Sequence, residues 1–146
     1  ELYHHPATRF VATFIGQPNM NLVPATVIGA GAEGLAVEFH GGHRMTLPVD
    51  CGSARAGDKV EVGIRPENVT LGSGLTMKLR VLERLGGVSI TYGDMPDGMR
   101  FCAVLPGDTV VKEGEEIGLA INPADCHVFD ANGSVLRRRM APALAA

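Results

Sequence analysis

Residues capable of chemistry occur throughout this 146-residue chain, but not in the patterns that chemistry requires. No Gly-x-x-x-x-Gly-Lys-Ser/Thr run is present, so no loop cradles a nucleotide phosphate and ATP hydrolysis by the chain alone is excluded. The Gly-x-Ser-x-Gly elbow is also absent, and Ser53, Ser73, Ser89 and Ser134 have no base near them in sequence. His40-Gly41-Gly42-His43 sets two imidazoles close together, a start for zinc or copper if other ligands arrived from elsewhere. No cysteine or acid stands beside them, however, and a Gly-Gly pair is what a tight hairpin needs. Cys51, Cys102 and Cys126 are widely separated, with no Cys-x-x-Cys pair, and read as small buried hydrophobes in a reducing compartment. Glu113, Glu115 and Glu116 form a short acidic run that reads as a solvated face. The chain is expected to hold no catalytic residue, no cofactor and no metal.

Charge narrows the classes further. Thirteen basic residues against sixteen acidic ones give −3, which lacks the footprint of a chain that tracks a phosphate backbone. Aromatics are 5% of residues and tryptophan is absent, so base stacking is poorly served. Nucleic acid is therefore not an expected partner. No stretch approaches the ~18 apolar residues of a membrane-spanning helix, while 45% apolar content suffices for a core. The chain opens at Glu1-Leu2-Tyr3, without methionine or signal peptide, and reads as a piece of a longer polypeptide.

The elements that would position these residues change period once. Pro6 suits a first helical turn, Phe10, Val11, Phe14 and Ile15 share a helical face, and Gly16 with Pro18 ends it. Thereafter apolar residues alternate: Leu35-Val37-Phe39, Met45-Leu47-Val49, Val60-Val62-Ile64, Met77-Leu79-Val81, Val88-Ile90-Tyr92, Met99-Phe101-Ala103-Leu105 and Ile117-Leu119-Ile121. Glycine- or proline-bearing turns separate them, and Asn132-Gly133 marks a hairpin between Val128-Phe129 and Val135-Leu136. Many short strands at even spacing predict an all-β barrel or sandwich behind one short helix.

The strands also repeat. Gly57-x-x-Val60-x-Val62-x-Ile64-x-Pro66 recurs as Gly114-x-x-Ile117-x-Leu119-x-Ile121-x-Pro123, 57 positions on (114 minus 57). At the same offset Met20 and Leu22 meet Met77 and Leu79, Gly29 meets Gly86, Gly41 meets Gly98 and Leu47 meets Val104. Two related β-units are implied, each too short to bury both faces of its sheet alone, so the pair should share a core. Arg65-Pro66-Glu67 becomes Asn122-Pro123-Ala124 in the second copy, so the turn needs its proline and not its charges. Those charges read either as a surface ion pair of ~0 to 1 kcal/mol or as a contact patch.

Several strings in order resemble one family: Tyr3-x-x-Pro6; Phe10-Val11-Ala12-x-Phe14-Ile15-Gly16-x-Pro18-x-Met20-Asn21; Gly63-Ile64-Arg65-Pro66-Glu67; Glu83-x-Leu85-Gly86; and Cys126-His127-Val128-Phe129-Asp130. Together they resemble the C-terminal part of the ATP-binding subunit of ABC importers of the maltose and glycerol-3-phosphate type. The resemblance implies an OB-fold-like β-barrel or sandwich of transport-associated type. Its layout would be a connector helix over 1–19, a regulatory domain over 20–140 with units near 20–76 and 77–136, and a tail over 141–146. It further implies a homodimer with a second copy, contact with the chain's own ATPase domain and with membrane permease subunits, and in some members a cytoplasmic regulatory protein. Such a domain works in the cytoplasm, peripheral on the inner face of the cell membrane, with ATP and magnesium confined to the ATPase domain. Candidate partner or interdomain contacts are Phe10, Phe14, Ile15, Asn21, Arg65, Glu67, Glu83, Phe129 and Asp130. Ala131-Asn132-Gly133-Ser134 and Met95-Pro96-Asp97 are shorter than the family's usual loops. The alternative reading is a module that binds a small ligand or oxyanion, although no single loop gathers Lys, Arg, Ser and Gly densely.

Overall fold

In the computed structural model, which describes residues 20–138, nine strands form two antiparallel sheets. The first contains β1 (Asn21–Gly31), β2 (Gly34–Phe39), β3 (Arg44–Leu47), β4 (Lys59–Ile64) and β9 (His127–Phe129), in the order β3-β2-β1-β4-β9. The second contains β5 (Val69–Arg84), β6 (Val88–Asp94), β7 (Arg100–Pro106) and β8 (Glu116–Ile121), in the order β7-β6-β5-β8. Short 310 turns at Pro66–Asn68 and Pro123–Asp125 follow β4 and β8. The all-β, two-unit architecture is as the alternation predicts. The helix read over Pro6 to Gly16, and with it Phe10, Phe14 and Ile15, lies outside the described residues.

The alternation works because each inward row meets the other sheet. Val23, Ala25, Val27, Leu35, Val37, Phe39, Val60, Val62 and Ile64 from the first sheet join Leu75, Met77, Leu79, Phe101, Ala103, Leu105, Ile117 and Leu119 from the second in one core. Phe39 and Phe101 are buried within it. At ~25 cal/mol per Å² of apolar surface removed from water, this shared interior is the main term holding the sheets together.

Several strand readings differ from the structure, among them Met77-Leu79-Val81, where the bulge after Leu79 turns Val81 outward. β1 escapes the sequence pattern because Pro24 interrupts it, and proline is uncommon in a strand flanked on both sides, as β1 is by β2 and β4. In β6 the period is right and the phase is wrong: Ser89, Thr91 and Gly93 face inward, while Val88, Ile90 and Tyr92 face outward. The polar pair is accommodated by hydrogen bonds, Thr91 Oγ1 to Ala103 O at 2.8 Å and Ser89 Oγ to Gly107 O at 3.3 Å.

The repeat is real but its register is not uniform. Gly57 N donates to Val27 O and Val27 N to Asp58 O, while Gly114 N donates to Leu79 O and Leu79 N to Glu115 O. Val27 and Leu79 are therefore equivalent, 52 positions apart (79 minus 27), and each precedes a bulge, Val27/Gly29 and Leu79/Val81. The 57-residue offset holds from β4 and β8 onward, so the further matches of Met20 with Met77 and Leu22 with Leu79 are coincidental. Past the 310 turns the copies exchange strands. Val62 pairs with Val128 and Gly63 with His127, whereas Leu119 pairs with Leu71 and Ala120 with Thr70. Each copy thus completes the other's sheet, a reciprocal arrangement in which the first turn packs on β7 and the second on β3.

Candidate interaction surface

The outward row of β6 and its neighbours in β5 and β7 form one face of the second sheet. Register sets Val81 beside Tyr92 and Tyr92 beside Cys102, then Glu83 beside Ile90 and Ile90 beside Val104, then Val88 beside Pro106. Opposed residues of antiparallel strands share a face, so these rows make a largely apolar surface across β5, β6 and β7, with Glu83 at its β5 border. Val81 is 46% exposed, Val88 39% and Leu85, in the adjoining β5–β6 turn, 59%. Ile90, Tyr92, Cys102 and Val104 are half-buried.

Electrostatics tie two of the sequence candidates to this face. The Cys102 thiol is pushed up from its ordinary value first by burial and then by the carboxylates of Glu67 and Glu83. The Tyr92 phenol is pushed up by Cys102, by burial and by Glu83. Both carboxylates are solvent-exposed, so they border the patch with negative charge. Asn21 comes to the same place from the first sheet. Its Nδ2 donates to Cys102 O at 2.9 Å and to Ile64 O at 3.0 Å, and its Oδ1 accepts from Cys102 N at 2.9 Å.

The remaining candidates are elsewhere or inside. Arg65 is only 4% exposed, so the surface-pair reading is wrong for it: the guanidinium is interior, ahead of the first 310 turn. The equivalent Asn122 caps its own turn instead, accepting from Ala124 N at 3.0 Å. Phe129 is fully buried and packs with Met20 over Gly63, where an added Cβ would stand 2.3 Å from Met20 Sδ and 3.1 Å from Phe129 Cε2. Asp130 organises the β9 hairpin, its Oδ1 accepting from Asn132 N at 2.9 Å and Ser134 N at 3.0 Å. Asn21, Glu67 and Glu83 are thus brought together around Cys102, whereas Arg65 and Phe129 are buried within the chain and Asp130 shapes its own hairpin. Val81, Val88, Ile90, Tyr92 and Val104 escaped the sequence reading, because alternation alone does not say which phase is outside; the signal was the serine and threonine at 89 and 91, inward-facing beside Gly93.

His40-Gly41-Gly42-His43 is the β2–β3 hairpin, with Phe39 N donating to His43 O at 2.8 Å and the His43 ring stacked on Phe39 at 6.1 Å between centroids. Among the described residues no three His, Cys, Asp or Glu side chains converge as metal ligands. None of the described helices is long and apolar enough to cross a membrane. The chain after Leu136 is tied down as far as it is described: Asp50 N donates to Arg137 O, and Arg138 pairs with Val49 and reaches Ala124 O.

Comparison with known proteins matches residues 16–69 to the MalK OB fold domain and residues 62–129 to the TOBE domain. The maltose/maltodextrin import ATP-binding protein MalK of Salmonella typhi is 35% identical over 143 residues, 94% of this chain and 39% of its own length. MalK of Yersinia pestis bv. Antiqua (strain Antiqua) is 34% identical over the same shares. The chain therefore spans about two fifths of the curated relatives it matches. Among solved structures, the cytoplasmic molybdate-binding protein ModG, in a molybdate-bound form, superposes with a TM-score of 0.62 at 17% identity, over 74% of this chain and 94% of that one.

Proposed function

We propose, for a chain that belongs to the MalK-type OB and TOBE domains of sugar-importer ATP-binding subunits, that it is the non-catalytic regulatory and pairing domain of such a subunit. The importer would take a solute of the carbohydrate class: a sugar, a polyol or glycerol 3-phosphate. The domain would act beside its own ATPase domain and the permease subunits on the cytoplasmic side of the membrane, joining two copies of the subunit while the ATPase domains open and close. A cytoplasmic regulatory protein that binds one conformation better would shift the cycle by that difference in affinity alone.

The observation that carries the pairing role is the apolar face of Val81, Val88, Ile90, Tyr92 and Val104. A face of this kind on a folded domain favours a protein partner, and a two-fold interface buries the same patch on both copies. Residues near the axis then meet their own counterparts. In a variant whose native cysteines are replaced by serine or alanine, Val88→Cys should cross-link to itself with a short bis-maleimide. A cysteine at Glu33, exposed in the β1–β2 turn, should not. Equal yields from both would refute the pairing role of this face.

The likeness to ModG is one of fold, and it supports a second reading as a small-oxyanion module. The groove on the first sheet is bordered by carboxylates, Glu38, Glu61, Asp97 and Asp130, which repel an oxyanion. Calorimetric titration with molybdate separates the readings: saturable micromolar heat favours the second.

A further inference from the structure

The two related units are not finished alike. Val62 in β4 stands between Val23 of β1 and Val128 of β9. Its counterpart Leu119 in β8 stands opposite both Leu75 and Leu71 of β5, which bends between them at Gly72-Ser73-Gly74. Val128 and Leu71 are thus equivalent, each on the segment that ends its sheet. Beyond Val128 the chain returns alongside β9: Leu136 N donates to Val128 O at 2.8 Å, Val135 bridges Phe129, and Leu136 packs against the core. Val128 is accordingly 0% exposed, whereas Leu71 is 45% exposed.

No described residue covers the second edge in this way. The shared register turns Leu71 O away from β8, as it turns Val128 O away from β4, and no backbone N–H of the described turns and loops donates to it. Thr70-Leu71-Gly72-Ser73 is exposed throughout and holds neither a charge nor a proline, the residues that keep an edge from pairing. A free strand edge beside an apolar side chain is what an extended peptide adds to: main-chain hydrogen bonds supply affinity and alternate side chains supply selectivity. The first unit gives the pattern of the occupant, an extended run with an aliphatic side chain at the place of Leu136 and an N–H on that residue.

We infer that the edge over 69–71 docks an extended aliphatic segment of a partner protein, in the way that residues 134–136 seat on β9. This goes beyond the pairing role and uses the opposite end of the second sheet from β7. The probe is the peptide Gly-Ser-Val-Leu-Arg-Arg, the sequence of residues 133–138, titrated into the intact, isotopically labelled chain and followed by amide chemical shifts. Saturable shifts are expected at Thr70, Leu71, Gly72 and Ser73, and none at Val128 and Phe129, whose edge is already occupied. Methylating the leucine nitrogen of the peptide removes the donor to Leu71 O and should weaken binding roughly tenfold. Leu71→Glu, at an exposed position, should weaken the unmethylated peptide as far, while Val88→Glu on the paired face should leave its affinity unchanged. The assignment is overturned by an absence of saturable shifts, by shifts confined to Val128 and Phe129, or by equal binding of the methylated peptide. Full affinity in Leu71→Glu, or lost affinity in Val88→Glu, overturns it as well.

Discussion

Asn21 holds Cys102 as a neighbouring strand would, its Nδ2 on the Cys102 carbonyl and its Oδ1 on the Cys102 N–H, both at 2.9 Å. One side chain from the first sheet thereby closes the open edge of β7 in the second, and through Ile64 O the same amide also holds β4. An exposed strand edge invites pairing with other chains, so this contact joins the sheets and occupies the edge at Cys102.

Asn21→Ala should therefore cost about 2 kcal/mol, since it strands partly buried backbone groups as well as removing hydrogen bonds. Urea denaturation checks this through the midpoint. Asn21→Asp keeps the acceptor for Cys102 N but sets a carboxylate oxygen against the Cys102 and Ile64 carbonyls, and should cost at least as much. A midpoint unchanged in Asn21→Ala would show that water satisfies Cys102 equally well.

Gly34 and Gly98 both have positive φ, +134° and +85°, but differ in surroundings. A Cβ at Gly34 would stand 2.1 Å from Leu47 O, whereas none would be met within 4 Å at Gly98. Gly98→Ala should cost ~1 kcal/mol for its backbone conformation alone. Gly34→Ala adds a backbone clash and should cost more than ~2 kcal/mol, read as the lower thermal midpoint of the pair.

Thr91→Val tests the phase of β6. With Thr91 buried and its hydroxyl on Ala103 O, the variant keeps the volume, leaves one carbonyl without its side-chain donor and should lose about 1 kcal/mol. Ile90→Thr, on the outward face, should change monomer stability by less than Thr91→Val does. The reverse order would mean that the strand is turned over.

Burial and then Asp125 push the Cys126 thiol up to about 12 from an ordinary value near 9. Above pH 9 the unfolded thiol ionises while the folded one stays protonated, so the unfolded state gains. Stability from this group is complete below pH 9 and is lost progressively as pH rises toward 12. Cys126→Ala should flatten the alkaline limb of a stability profile, and Cys126 in the folded chain should alkylate more slowly at pH 8 than in urea.

Much of this was legible because apolar alternation and a shared core are the same fact seen in one and three dimensions. Leu35-Val37-Phe39 and Phe101-Ala103-Leu105 show it, each row entirely inward. The pattern failed where side-chain type did not reveal direction. Ser89 and Thr91 look like solvent residues until their acceptors at Ala103 and Gly107 are placed, and those acceptors come from another strand and a distant turn. Arg65 failed likewise, because a charge in a turn reads as exposed. Asn21, Glu67 and Glu83 were marked by their strings alone, and only the folded chain gathers them, 21 from one sheet and 83 from the other, around Cys102. The exchange of strands after Pro66 and Pro123 was hidden for the same reason: an offset between copies does not say which copy a strand joins.

In the pairing proposed above, two copies meet through the outward face of β5, β6 and β7. Sedimentation velocity over a concentration series compares the chain with Val88→Glu and Val104→Glu on that face and with Thr46→Glu, an exposed position on β3 of the first sheet. The expected result is a reversible dimer that either face substitution dissociates and Thr46→Glu leaves intact. A monomer at every concentration, or a dimer indifferent to Val88→Glu and Val104→Glu, would contradict it.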